Sequence, residues 1–248
     1  MERNLSLSYS KINTFLECPK KFYFQYILKL PSKPKYYFSF GETIHQILEF
    51  MYNPKLNSST IIPRLEKLVS LVDEYWIGEG YWDETQEIEA KNEARRIILE
   101  YYKKNIFSYR PAFSVEERFS FNIDNIQITG KIDRIDKLPS INNFEILDYK
   151  TGNDIFTNPD RVDFISKLQL IIYSLGFNQK YNQEVKSVGW YFLRKNIRTN
   201  VNINETDYID AKALIVKVYN EIMNENYFKC QGMKCQYCDY IEKCNSDI

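Results

Sequence analysis

The chain has 248 residues, 44% hydrophobic and 27% charged, the composition of a soluble globular protein able to bury a substantial core as one domain. Its 33 basic and 33 acidic residues give a formal net charge of zero, which disfavours a passive DNA-coating protein; any nucleic-acid binding must come from local patches. No apolar run is long enough to span a bilayer, and the N-terminus lacks the order of a secretory signal, so an intracellular, cytoplasmic protein without structural disulfides is expected, with no membrane partner.

Taken in chain order, the apolar periodicity predicts helices over 8–17, 41–52, 61–77 and 85–107, with the polar stretch Asn53 to Thr60 as a loop around Pro54. From Ser114 the period changes to two, predicting strands over 114–123, 126–137 and 144–150, with turns at Asp124-Asn125 and Pro139 to Asn143. A helix over 161–179, strands over 186–194 and 197–203, a helix over 207–226 and a cysteine-rich tail follow. Helices, a meander, a crossover helix and further strands predict an α/β fold, a mixed central sheet flanked by helices.

Residues i and i+2 of a strand share a face, so Asp148 and Lys150 project together while Tyr149 points away; a hairpin would set Asp133 beside them. Two carboxylates and an ammonium converging there suit phosphodiester hydrolysis with Mg²⁺ or Mn²⁺, although the same pattern also fits surface charge on an exposed hairpin. The single histidine, His45, falls beside the apolar stripe formed by Ile44, Ile47, Leu48 and Met51, with Gly41 one turn earlier leaving room for a metal or a phosphate. Glu116, at the start of the first strand, is a further acid without an assigned role.

Cys235, Cys238 and Cys244 form C-x2-C-x5-C, and Cys18 stands far upstream in Leu-Glu-Cys-Pro. Four thiolates fit a metal site that would join the two ends of the chain, and zinc and an iron-sulfur cluster both accept them. Cys230 is left over as a non-ligand. Between Cys18 and Phe40, Lys20, Lys21, Lys29, Lys33 and Lys35 alternate with aromatics and no acid interrupts, which suits either a surface for stacked bases or an amphipathic helix with solvated lysines. Gln169 and Tyr173 lie one helical turn apart, so both could face the acidic site from the crossover helix.

Together the Tyr9 to Pro19 segment, G-x-x-x-H from Gly41 to His45, Gly-Lys-Ile-Asp-Arg-Ile-Asp from Gly130, Ile-Leu-Asp-Tyr-Lys-Thr-Gly from Ile146, Q-x-x-x-Y from Gln169 and the terminal cysteines resemble the RecB-like branch of the PD-(D/E)XK nucleases. That branch includes the RecB and AddB nuclease domains and CRISPR-associated adaptation nucleases. The resemblance covers nearly the whole chain. It implies a restriction-endonuclease-like core spanning 1–248 as one domain, with a helical N-terminal part, a helical insertion at about 53–112 and a cysteine-rich tail at 227–248. It implies that His45, Asp133, Asp148 and the main-chain carbonyl of Tyr149 bind the catalytic metal, and that Lys150 orients water or steadies charge on the phosphate. It further implies a 4Fe-4S cluster on Cys18, Cys235, Cys238 and Cys244, with zinc the less expected occupant, and a DNA exonuclease acting on single-stranded ends. Lys20, Lys21, Gln169 and Tyr173 would support the substrate. No G-x-x-x-x-G-K-[ST] motif occurs, so a helicase, like CRISPR adaptation proteins, would be a separate partner. A non-catalytic iron-sulfur DNA adaptor is the competing reading.

Overall fold

Polar side chains set where the helices begin. Ser8 accepts the Lys11 N–H at the start of α1 (Tyr9–Glu17), and Pro19 opens the short α2 (Pro19–Phe22), which continues as a wide turn over Tyr23–Ile27. The helix α3 spans Tyr36–Tyr52, followed by the short α4 (Pro54–Asn57), α5 (Leu65–Glu74) and α6 (Glu84–Asn105), which Asp83 caps. The strands β1 (Ser114–Ile123), β2 (Ile126–Lys137) and β3 (Phe144–Lys150) form the meander. The helix α7 (Phe164–Tyr181), capped by Asp163, leads to β4 (Val185–Phe192) and β5 (Ile197–Val201). Asn204 and Asp207 make a reciprocal capping box on α8 (Glu205–Met223), and α9 (Ile241–Ser246) lies in the tail. This computed structural model describes residues 5–57, 61–139, 143–153 and 162–246. Residues 58–60 of the expected 53–60 loop, 140–142 of the expected 139–143 turn and the first residue of the helix expected over 161–179 fall outside them.

The sheet runs in the order β1-β2-β3-β4-β5; all neighbours are antiparallel except β3 and β4, which are parallel and joined through α7. The mixed sheet with helices on its faces is the predicted architecture. On one face Ile12, Leu168, Ile172 and Ile215 from α1, α7 and α8 pack on Ile132, Ile146 and Trp190. On the other, Ile44, Leu71 and Ile97 from α3, α5 and α6 join Tyr149 and Tyr191. Two elements among those described differ from expectation: the short helix α4 (Pro54–Asn57) stands where a loop was expected, opened by Pro54 at its first position, and α3 begins at Tyr36, five residues before position 41. The aromatic run at 36–40 is drawn into the helix by burial of Phe40, 1% exposed, a tertiary gain that local sequence does not display.

The alternation of β1 and β2 slips at one point. Val115 packs toward α3, whereas Phe119 and Phe121 face α7, although a regular strand would set all three on one side. Ile128 and Ile132 face α7, and so does Ile135 only three residues later. The ladder pairs Val115 with Arg134 and Glu117 with Ile132, leaving Glu116 opposite Asp133 outside the pairing. Glu116 takes φ 51°, a left-handed conformation that costs a non-glycine residue free energy. The two acids therefore sit at the break, where the backbone turns side chains out of their regular positions.

Candidate metal centre and cysteine clasp

The helix α3 delivers His45 over this break. Its Nδ1 lies 3.6 Å from Asp133 Oδ1, and ligand atoms of His45, Glu116 and Asp133 all lie within 4.8 Å of one another. Asp133 Oδ2 accepts the Tyr149 N–H at 2.8 Å. The β2–β3 register ends at Arg134 with Leu147, so one step further Asp133 faces Asp148, and its carboxylate takes the place of the next ladder contact. Glu116, Asp133 and Asp148 thus follow one another across three strands.

Asp133 and Asp148 are both buried, 7% and 2% exposed. Asp148 Oδ2 lies 2.6 Å from Lys150 Nζ, an ion pair that holds the buried carboxylate against the lysine. Lys150 Nζ also donates to Gln169 Oε1 at 2.6 Å, and Gln169 Nε2 donates to the Tyr173 hydroxyl at 2.8 Å. The crossover helix thus sets Gln169 against the lysine, with Tyr173 behind it. Tyr149 points to the opposite face, as expected, where its hydroxyl meets Tyr101 and Arg134 at 3.3 Å each.

Charge explains the protonation states. Burial alone would lower the His45 pKa, but the Asp133 carboxylate, with Asp148 and Glu116 behind it, reverses this and raises it to about 9. Burial raises Asp148 to about 6 against the pull of Lys150, while the Asp133 carboxyl is held low by His45 and the Tyr149 N–H in spite of its own burial. Burial would lower Lys150 too, but Asp148 holds it up and therefore charged. Burial also raises Glu116.

Two ionisable faces of the site were not given roles by sequence reasoning. Glu116 has the position of a ligand, and its signal was its acid at a strand start. Tyr9 was quoted only as part of a motif, yet its phenol lies in the field of Lys150 and Asp148, with burial the main cause of its raised pKa. Imidazole and carboxylate oxygens around one point are donors suited to Mg²⁺ or Mn²⁺, and ligands about 2.1 Å from a single ion stand roughly 3 to 4.2 Å apart, so a slight contraction of the present set would suffice.

The two ends of the chain meet as the cysteines suggested. Lys20 N–H donates to the Phe228 carbonyl at 3.2 Å, Tyr23 stacks on Tyr227 at 4.8 Å, the Tyr240 hydroxyl donates to the Leu30 carbonyl at 3.2 Å, and Lys35 pairs with Asp239. A cavity of about 450 Å³ is lined by Cys18, Cys230, Cys235 and Cys238, and the Cys244 thiol lies in the field of Cys18 and Cys238. Cys230, set aside by spacing, thus borders the same cavity and contacts Cys18. Among the described residues no three sulfurs stand within 4.8 Å of one another, whereas Zn–S bonds of about 2.3 Å would put tetrahedral thiolates about 3.8 Å apart.

The basic aromatic segment divides. Phe22 and Phe24 are core side chains, the Lys20 ammonium lies over the Tyr23 and Phe24 rings, and Lys21 reaches Glu17. Lys21 and Lys35 therefore meet acids, Lys21 through an i,i+4 pair with Glu17 and Lys35 through the distant Asp239. Tyr37 and Phe38, 47% and 68% exposed, remain open.

A five-stranded mixed sheet with one parallel pair, carrying buried acids and a lysine on its inner strands β2 and β3, defines a restriction-endonuclease-like nuclease core. Residues 6–245 match the PD-(D/E)XK nuclease superfamily, and the chain belongs to it. It is 27% identical over 261 residues to a subunit of the ATP-dependent helicase/deoxyribonuclease of Clostridium kluyveri, covering 90% of this chain and 22% of that protein. The chain thus spans about a fifth of that relative's length. A solved structure from Eubacterium rectale, named "Putative exonuclease", is similar in fold at a TM-score of 0.57 and 11% identity, over 97% of this chain and 88% of that one.

Proposed function

We propose that this nuclease hydrolyses DNA with Mg²⁺ or Mn²⁺, acting as an exonuclease on single-stranded ends. The carrying observation is the buried Asp148 carboxylate, ion-paired to Lys150 and set beside Asp133, which groups with His45 and Glu116 as ligand atoms around one point. His45, Asp133, Asp148 and the Tyr149 carbonyl would hold the metal, with Glu116 added to the expected set. A bound divalent ion would polarise the phosphodiester and acidify the attacking water. His45 must give up its proton to become a ligand, so loading releases a proton from the His45–Asp133 pair. Lys150, steadied by Gln169 and Tyr173, would orient water or balance charge on the phosphate. Lys20 and Lys21 have the weaker case as DNA contacts, because both are engaged within the fold.

The cysteines would hold a 4Fe-4S cluster as a clasp between the N-terminal segment and the tail, within one domain. What supports this is the convergence of Cys18, Cys235 and Cys238 on one cavity, with the Cys244 thiol in the field of Cys18 and Cys238. The relative from Clostridium kluyveri, named as part of a helicase, supports a separate helicase as partner. The test is a time course on end-labelled single- and double-stranded DNA in Mn²⁺, wild type beside Asp148→Ala and Lys150→Ala. Equal degradation by wild type and Asp148→Ala would sink the reading. DNA binding without metal-stimulated cleavage would favour the adaptor instead.

A further inference from the structure

Next to the acidic break, the β1–β2 ladder carries a second pair of charges. Arg118 and Lys131 are direct cross-strand partners, an arrangement in which like charges repel. The Lys131 ammonium is neutralised by Glu116. Among the described residues no acid pairs with the exposed Arg118 guanidinium. Both cations line one cavity of about 450 Å³ together with His45 and Glu116, and Glu42 and Glu49 close its other wall.

Glu116 serves two partners. It is the counter-ion of Lys131, and its carboxylate is one of the three ligand atoms grouped with His45 and Asp133. An ion held by that group would neutralise the carboxylate that Lys131 pairs with, leaving ammonium and guanidinium uncompensated side by side, with opposite-strand Cβ atoms about 5 Å apart. Two such donors match the two non-bridging oxygens of one phosphodiester. Without the ion, the bare carboxylates of Glu42, Glu49 and Glu116 repel phosphate from the same cavity. We propose that Arg118 and Lys131 form a clamp for the phosphodiester next to the one being cut, armed only when a divalent metal neutralises the Glu116 carboxylate. The proposal rests on the nuclease reading and names residues that grip the substrate without touching the reacting atoms.

Because Ca²⁺ is a hard divalent ion that takes oxygen ligands, it can load the site while binding is followed separately from cleavage. Fluorescence anisotropy of a labelled oligo-dT is measured across a salt series, in Ca²⁺ and in EDTA, for wild type, Arg118→Gln, Lys131→Gln and Arg118→Lys. Each phosphate contact on a single strand contributes about 0.7 to the slope of log K against log salt. In Ca²⁺ each Gln variant is expected to lose about that much slope and bind about tenfold more weakly, Arg118→Lys to recover the slope, and none to differ from wild type in EDTA. Unchanged slopes in Ca²⁺ overturn the clamp. Equal losses with and without Ca²⁺ overturn its coupling to the metal. Cleavage by wild type against Asp148→Ala is scored in parallel, so failure of the nuclease reading shows there and failure of the clamp shows in the binding slopes.

Discussion

Asp133 accepts the main-chain N–H of Tyr149 with one carboxylate oxygen and faces the His45 imidazole with the other. One side chain therefore closes the β2–β3 ladder and sets the charge state of the histidine. Asp133→Asn keeps an acceptor for the N–H but removes the charge. With a single histidine in the chain, one imidazole signal in NMR reports the effect: the His45 pKa should fall from about 9 toward the ordinary 6.5, and cleavage should drop about 100-fold or more. The raised value also sets a pH window. A histidine whose pKa is higher folded than unfolded stabilises fully below about 6.5 and loses that contribution as pH rises to about 9, so metal-free wild type should weaken across that window and Asp133→Asn should not.

Asp148 has the opposite sign. Its carboxyl is raised to about 6 by burial, so the folded state resists ionising it, and stability is lost as pH rises from about 4 through 6. Asp148→Asn removes that cost. In EDTA at neutral pH the variant should be more stable than wild type by on the order of 1–3 kcal/mol in urea unfolding, with the gap closing below about pH 4, while cleavage is abolished. A variant less stable than wild type at neutral pH would show that Lys150 fully compensates the buried charge.

Much of the core of this site was legible in the sequence because period-two alternation and the i, i+2 rule place Asp148 with Lys150 and turn Tyr149 away, and the hairpin sets Asp133 alongside. What stayed hidden depends on backbone irregularity or distant contacts. Glu116 becomes a potential ligand through its left-handed φ and the slip at 116 and 133, which no alternation pattern displays. Lys35, in the basic aromatic segment, pairs with Asp239 from the tail, a contact some two hundred residues away in sequence. The early start of α3 has the same origin, since the burial of Phe40 is a property of the assembled fold.

The Phe119 ring is wedged between two glycines. A Cβ on Gly130 would come within 2.3 Å of the ring and one on Gly176 within 2.4 Å, so β2 and α7 approach closely only because both positions are bare. Gly176→Ala should destabilise the protein by about 1–3 kcal/mol in urea unfolding through overpacking. Replacing the ring with a smaller side chain in Gly176→Ala/Phe119→Leu should recover part of that loss, since the two residues share one space. A purely additive double variant would place the strain elsewhere in α7.

The cysteine clasp makes a prediction that separates its two occupants and tests the role of the fifth thiol. Protein purified without oxygen should be coloured, and Cys18→Ser should bleach it, because Cys18 supplies the only N-terminal thiolate. Cys230→Ser should keep the colour, even though Cys230 lines the same cavity, if C-x2-C-x5-C and Cys18 complete the ligand set. A colourless protein with one bound zinc would replace the cluster by a single ion, and loss of colour in Cys230→Ser would bring that residue into the ligand set. Either occupant ties residues more than two hundred apart, so Cys18→Ser should also lower the thermal midpoint by several degrees, a loss of the order expected when a long loop is no longer closed. Cleavage by the same variant then shows whether α1 and α2 must be pinned for the site at Asp133 and Asp148 to work: the N-terminal segment carries Tyr9, whose phenol lies in the field of both Asp148 and Lys150, so a loosened clasp should reduce kcat as well as stability.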